Sequence, residues 1–179
     1  MEISFHYVDN FNERNMTKKK IIKEAKRIQE DSIYSSKGHF NTSEFWSNFN
    51  LLLGSLGILV SAVISASSRL EVENGLIISG VLALFVACIT AVLTFINPNK
   101  RSEEHRKSGN LYNALKNDAR IFYEIELLNL SIDKAVIELK LLNSRRSQLN
   151  LESPQVPTFF FMKARKGIED GESNYGVDD

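Results

Sequence analysis

This chain of 179 residues contains few cysteines and few histidines, and it has no net charge. The single cysteine, Cys88, excludes an internal disulfide framework and a cysteine-rich zinc site. The three histidines, His6, His39 and His105, are scattered along the sequence. Lys and Arg number 22 and so do Asp and Glu, which makes the formal net charge zero. A globally basic surface for nucleic acid is therefore not indicated.

Motifs that carry catalysis are missing as well. The sequence contains no Walker A loop and no GxGxxG, HExxH, CxxC or GxSxG pattern. His105 follows Glu104 directly, so the two side chains do not share a helix face, and a hydrogen bond between helices suits His105 better than catalysis. Cys88 lies among apolar residues and is expected to be inert. We therefore expect no enzyme activity, no cofactor and no metal site.

Charge is absent from two long windows, residues 45–68 and residues 74–99. A bilayer core about 30 Å thick needs roughly 20 consecutive apolar residues in a helix. The windows therefore predict two membrane spans, at about 46–67 and 75–96. The alternative is a pair of buried helices in a soluble bundle, although the remaining polar segments are small for wrapping two such helices.

The short connection between the windows predicts a helical hairpin with both termini on one side of the membrane. Only residues 69–73 separate the two windows, and Arg69 is their one basic residue. The basic residues that follow the second span are Lys100, Arg101, Arg106 and Lys107. Because positive charge stays on the cytoplasmic side, we expect a multi-pass protein of the cell inner membrane with cytoplasmic termini.

Small residues recur every four positions in both predicted spans. They are Gly57, Ser61 and Ser65 in the first span and Gly75, Ser79, Ala83 and Ala87 in the second. Small residues allow close helix packing in lipid, so one interpretation is that they pack the two spans together. The other is that Ser61 and Ser65, with Asn50, face a subunit interface or a water-filled pore. Neither span contains a charged residue, which argues against a pump.

The polar segments before and after the hairpin are predicted to be helical and cytoplasmic. Segment 1–44 contains a basic amphipathic helix over 13–36, with Ile21, Ala25 and Ile28 on one face. That face either docks on the other cytoplasmic helices or lies on an anionic leaflet. No aromatic residues interleave its basic run, so direct binding of nucleic acid is not expected.

The chain after the hairpin is expected to form a cytoplasmic helical domain over 99–166. The transmembrane hairpin itself is assigned to residues 45–98. Two apolar stripes at helical spacing mark the domain: Tyr112, Leu115, Ala119 and Phe122, then Ile132, Ala135, Leu139, Leu142 and Leu149. The second stripe is heptad-like and suits a partner helix or an oligomeric bundle. The acidic tail 167–179 is expected to be disordered. The whole chain is thus predicted to be an all-α membrane protein.

Several positions resemble the SLATT family of two-transmembrane effectors (SMODS and SLOG-associating). They are Phe95-x-x-Pro98, His105-x-x-x-Gly109-x-x-Tyr112-x-x-Leu115, Leu139-x-x-Leu142, Arg145-Arg146, Pro154 and the aromatic run 159–161. The resemblance covers roughly residues 30–166. It implies a membrane effector of a prokaryotic antiviral conflict system that oligomerises into a pore and depolarises or kills the infected cell. It also implies a trigger in trans, from a nucleotide-signal pathway, a sensor protein or a reverse transcriptase.

Two other functions fit the same features: a non-conducting membrane anchor or scaffold for a cytoplasmic partner, and a small constitutive channel subunit. Membrane lipids and further copies of the chain are the expected partners in the effector reading. Candidate coupling or oligomer residues lie in the cytoplasmic helices, since the spans carry no charge that senses a signal. They are His105, Gly109, Tyr112, Leu115, Phe122, Leu139 and Leu142.

Overall fold

The computed structural model describes the backbone of residues 2–67 and 74–176, and side chains from residue 15 onward within those ranges. The expected outer loop, 69–73, lies outside the described residues. The helices are α1 (Glu2–Ser67), α2 (Gly75–Ile96), α3 (Pro98–Glu124), a 3₁₀ turn (Glu126–Leu128), α4 (Ile132–Glu152) and α5 (Thr158–Glu169). The described ranges contain no strand, and the predicted all-α class is confirmed.

Helix α1 is longer than the sequence suggested. It runs without a break for 66 residues and contains both the predicted basic helix and the predicted first span. The boundary expected between residues 44 and 45 therefore falls inside a helix. The physical reason is that the chain has no proline before Pro98, so nothing ends the helix between the polar and the apolar segment.

Asn97 and Pro98 separate α2 from α3. Asn97 adopts the left-handed conformation with φ 46°, and its N–H donates to the carbonyl of Leu93. Its side-chain oxygen accepts from the backbone N–H of Lys100 at 3.2 Å, so one asparagine ends α2 and begins α3. Pro98 takes the first position of α3, where its missing N–H is not needed.

The first of two compact units comprises residues 1–41 and 105–179. Its apolar core joins three helices and the 3₁₀ turn. The core residues are Ile21, Ala25 and Ile28 of α1, Leu115, Ala119 and Phe122 of α3, Leu127 of the turn, and Ala135 and Leu142 of α4. The basic amphipathic helix therefore docks on the helical domain, which resolves the alternative that the sequence left open.

Helix α4 begins at a serine cap, and its apolar stripe packs as predicted. Ser131 is the N-cap, and its hydroxyl accepts from the N–H of Lys134 at 3.5 Å. Arg146, which interrupts the apolar stripe, donates to Asp31 at 2.8 Å and to Asn143 at 2.7 Å. The position is therefore polar because it faces a carboxylate of α1.

The acidic tail has more structure than expected. Helix α5 continues to Glu169, and residues 170–176 form turns with hydrogen bonds such as that from the N–H of Asn174 to the carbonyl of Gly171 at 3.0 Å. The expectation of disorder was based on composition. It did not anticipate Gly171, whose φ of 90° closes a helix-ending turn.

The second unit, residues 42–104, contains the apolar half of α1, all of α2 and the beginning of α3. Two helices of the described chain are long and apolar enough to cross a membrane. Their most apolar windows are 0 % and 6 % buried. A core helix of a soluble bundle would bury most of such a window, so the exposure disfavours that alternative.

Candidate functional site

The apolar parts of α1 and α2 contact each other along one face of each helix. Ser67 and Ser79 bring their hydroxyl oxygens within 3.3 Å. A Cβ atom on Gly57 would lie 3.9 Å from Cγ2 of Ile89. The earlier position in α1, Gly57, thus contacts the later position in α2, Ile89, so the two helices run antiparallel.

The contact face follows a spacing of alternately three and four residues. The partly or fully buried residues with this spacing are Leu53, Gly57, Val60, Ile64 and Ser67 of α1, and Gly75, Ser79, Leu82, Val86, Ile89, Leu93 and Ile96 of α2. Gly54 and Leu56 of α1 are also partly buried beside them. A spacing that averages 3.5 residues stays close to one helix face, as in coiled coils. The same spacing is present in the sequence, but it is less conspicuous there than the four-residue spacing of the small residues.

The ladder of small residues leaves the contact face. At about 100° per residue, each step of four residues rotates the position by about 40°. Gly57, Gly75 and Ser79 accordingly lie at least partly buried on the contact side, and Asn50 is half-buried. The small residues at the later steps are exposed: Ser61, Ser65, Ala83 and Ala87. The two apolar helices of the single chain therefore pack through Gly57, Gly75 and Ser79 together with larger side chains, and these four later residues stay exposed.

Hydroxyl groups of the apolar helices bond to their own backbone. Ser61 donates to the carbonyl of Gly57 at 2.8 Å, and Thr90 donates to the carbonyl of Val86 at 2.9 Å. Such bonds satisfy the hydroxyl within the helix, so these residues do not need water nearby. Ser61 also borders a groove of about 330 Å³ between the two helices, lined mainly by apolar residues such as Leu53 and Ile89.

Aromatic residues cluster where the apolar part of α1 begins. Trp46 packs edge-on against Phe45 at 5.2 Å and against Phe49 at 6.0 Å between ring centroids. The guanidinium carbon of Arg101 lies 5.1 Å from the centre of the Trp46 ring, a cation–π contact. Aromatic rings beside cations at the end of an apolar helix are typical of the membrane–water interface.

Two buried histidines meet in the first unit. The Nδ1 atoms of His39 on α1 and His105 on α3 are 3.0 Å apart, and the residues are 3 % and 6 % exposed. One ring must donate and the other accept, so this contact needs at least one neutral imidazole. Burial, and next the charge of His105, lower the pKa of His39 to about 4. The predicted interhelical role of His105 thus has a partner.

Tyr112 extends this pair to a third helix. Its ring stacks on His39 with centroids 5.5 Å apart and planes at 17°. Its hydroxyl donates to the side-chain oxygen of Asn150 on α4 at 2.8 Å, and burial raises the pKa of the phenol. Helices α1, α3 and α4 are therefore joined by one set of polar contacts. His39 and Asn150 lie far from Tyr112 in sequence, so no spacing rule pointed to them.

Gly109 allows α1 and α3 to approach closely. A Cβ atom at this position would lie 2.8 Å from Cε1 of Phe40, which is closer than real side chains tolerate. The rest of the candidate coupling set lies in or against the apolar core: Leu115, Phe122 and Leu142 are buried, and Leu139 packs beside them. The structure thus brings all seven candidate coupling residues into the first unit.

These observations define an all-helical protein with two apolar helices long enough to cross a membrane. Within the described ranges, no group of three or more His, Cys, Asp or Glu side chains gathers as a metal site would require. No family model, curated protein or solved structure matches the chain. The resemblance to SLATT proteins therefore stays a prediction.

Proposed function

We propose that this protein is a membrane effector of a prokaryotic antiviral conflict system, which oligomerises into a pore and depolarises or kills the infected cell when a partner triggers it. The apolar half of α1 and helix α2 form its transmembrane hairpin in the inner membrane. The observation that carries the proposal is the exposed apolar surface of these two helices.

The amount of exposed apolar surface favours insertion. Leu76 is 92 % exposed, Phe95 is 88 % exposed and Ile58 is 73 % exposed. Removing one such side chain from water contributes about 1.5–3 kcal/mol. Because many such side chains are exposed on the two apolar helices, a lipid environment stabilises them by far more than any single surface contact does. The hydroxyl groups of these helices that bond to their own backbone add little to the free-energy cost of moving the helices from water into lipid.

Charge and aromatic residues support an orientation with both termini in the cytoplasm. Lys100 and Arg101 lie in the first turn of α3, just after α2, and Trp46 lies in contact with Arg101. Basic residues are retained on the cytoplasmic side, and amphipathic rings settle at the headgroup level. In this proposed orientation Asn50 lies near the cytoplasmic end of the first span.

Several copies are needed for a pore, because two helices cannot surround a channel. The small residues that the single chain leaves exposed, Ser61 and Ser65 on α1 and Ala83 and Ala87 on α2, offer close approach to neighbouring copies. In such an assembly the serine hydroxyls can turn toward water in a lumen. The trigger acts in trans on the first unit, where the candidate coupling residues lie.

Membrane potential on induced expression tests the proposal. A potential-sensitive dye is read in cells that express the chain alone or together with its neighbouring gene. Depolarisation that requires the partner supports the effector. Depolarisation without any partner indicates a constitutive channel instead. Membrane retention without depolarisation under both conditions, together with co-purification of the neighbouring gene product, indicates an anchor or scaffold.

A further inference from the structure

A polar groove of about 820 Å³ lies in the first unit between α1, α3 and the tail after α5. Sites for small molecules commonly have volumes of about 300–1,000 Å³. The groove is lined by the cations Lys37, Lys116 and Arg120 and by the amide side chains of Asn41 and Asn113. Glu124 is the one acidic residue of its helical walls, so these walls carry net positive charge together with groups that both donate and accept hydrogen bonds.

Two tail residues occupy the cationic part of this groove. The carboxylate of Glu172 forms an ion pair with Lys37. The hydroxyl of Tyr175 accepts from Nζ of Lys116 at 2.8 Å. The guanidinium carbon of Arg120 lies 5.0 Å from the centre of the Tyr175 ring. The tail thus supplies one anionic group and one planar ring to three cations of the helices.

A specific turn brings Glu172 to the groove. The N–H of Glu172 donates to the carbonyl of Gly167, and the N–H of Gly171 donates to the carbonyl of Ile168, both at 3.0 Å. This pair of bonds, with Gly171 at φ 90°, is the Schellman arrangement that ends a helix. Gly167 leaves room for the carboxylate, since a Cβ atom there would lie 2.5 Å from Oε2 of Glu172.

The tail contacts are weak enough to be displaced. The side chain of Glu172 is 60 % exposed, and exposed ion pairs contribute little stability because water and salt screen them. Lys37 is only 23 % exposed, so a ligand that excludes more water would interact with it more strongly. Lysine and arginine recognise carboxylates and phosphates, and arginine also stacks on planar rings.

We propose that this groove binds a small molecule that carries an anionic group beside a planar ring, and that Glu172 and Tyr175 occupy its anion and ring positions when the ligand is absent. The carboxylate of Glu172 stands for the anion on Lys37, and the phenol of Tyr175 stands for the ring over Arg120. The site belongs to the first unit alone and does not depend on pore formation.

Calorimetric titration of the purified full-length chain in detergent micelles tests the site with two probes. AMP carries a phosphate and a planar ring, and ribose 5-phosphate is its ring-free counterpart. Gly171→Ala strains the turn at positive φ without changing any groove residue, so it should raise the affinity for AMP by about fivefold. Glu172→Gln, which removes the competing charge, should raise it in the same direction.

Loss of the cations should have the opposite effect. Lys37→Gln and Arg120→Gln should each weaken AMP binding at least tenfold, whereas Lys163→Gln, an exposed position of α5 outside the groove, should leave it unchanged. Ribose 5-phosphate should bind at least tenfold more weakly than AMP to the Gly171→Ala chain. The proposal is overturned if no variant binds AMP at millimolar concentration, if both probes bind equally, or if the Lys37 and Arg120 variants bind as wild type does.

Discussion

The buried pair of His39 and His105 makes stability depend on pH in a direction that can be derived. His39 has a pKa of about 4 in the folded chain, against an ordinary value of 6.5, mainly because burial disfavours its charged form. Between these two values the unfolded chain binds more protons than the folded chain. The free energy of unfolding therefore falls as the pH is lowered from 7 toward 4, and this contribution is fully present only above the unfolded pKa.

The size of the effect follows from the shift. A difference of about 2.5 pKa units corresponds to about 3 kcal/mol, of which about 2 kcal/mol is lost by pH 5. That is a large part of the 5–15 kcal/mol typical of a folded domain. Once His39 is protonated, the contact at 3.0 Å between its Nδ1 and that of His105 requires a neutral His105 as the acceptor.

Chemical unfolding of the purified chain in micelles at pH 7 and pH 5 measures the effect. His39→Phe keeps a ring that stacks on Tyr112 and removes the titrating group. Between pH 7 and pH 5 its free energy of unfolding should therefore fall by about 2 kcal/mol less than that of wild type. His105→Gln removes only the second cause of the shift and should retain most of the wild-type dependence. Equal pH dependence in wild type and His39→Phe would show that His39 is not the responsible group.

The remaining predictions concern close packing, the exposed small face and the core of the first unit. Gly109→Ala should lower the free energy of unfolding by about 1 kcal/mol or more, and with it the melting temperature, because the new Cβ atom contacts the Phe40 ring. Phe40→Leu in the same chain should restore the melting temperature; no loss, or no rescue, would contradict the close approach. Ser61→Leu should abolish dye leakage without reducing membrane insertion, whereas Val63→Leu, also at an exposed position, should leave dye leakage intact. The reverse result would mean that the wrong face was assigned. Leu115→Asp buries an unpaired carboxylate at a cost of several kcal/mol, so it should prevent cross-linked oligomers and triggered leakage while the chain stays in the membrane, and exposed Leu111→Asp is its control; wild-type leakage from Leu115→Asp would exclude the core stripe as the coupling surface.

Features that depend on local sequence could be predicted, and features that depend on distant partners could not. The end of the hairpin at Pro98 was readable, because proline acts on the backbone within a few residues. The continuity of α1 differs from the expected boundary between residues 44 and 45, because a change from polar to apolar composition does not end a helix where no helix breaker is present. His39 finds His105 across 66 residues, and no period in the sequence encodes such a contact.

The four-residue ladder of small residues shows how a correct pattern led to an incomplete interpretation. The residues are small and recur as described, but a straight helix rotates about 40° at each step, so such a ladder winds around the helix. Only its first members can meet the partner helix in the same chain. The later members, including Ala83 and Ala87, are left exposed as a consequence of geometry.

The side of α1 that packs in the folded chain changes its chemistry along the helix. Its buried residues near the start are apolar, such as Ile21 and Ile28, whereas farther along they are polar, such as Ser32, Ser36 and His39. Apolar packing is non-directional, whereas a hydrogen bond fixes the distance and angle between two particular groups and changes only when a partner is exchanged. A trigger shifts an equilibrium only through unequal affinity for two arrangements, and exchange of hydrogen-bond partners needs little change in volume. Ser32 and Ser36 donate to carbonyls of their own helix, so of these three residues His39 alone forms a hydrogen bond to another helix. We therefore expect the proposed closed-to-open change to exchange the partner of His39, with the apolar core around Ile21 and Ile28 holding the unit together.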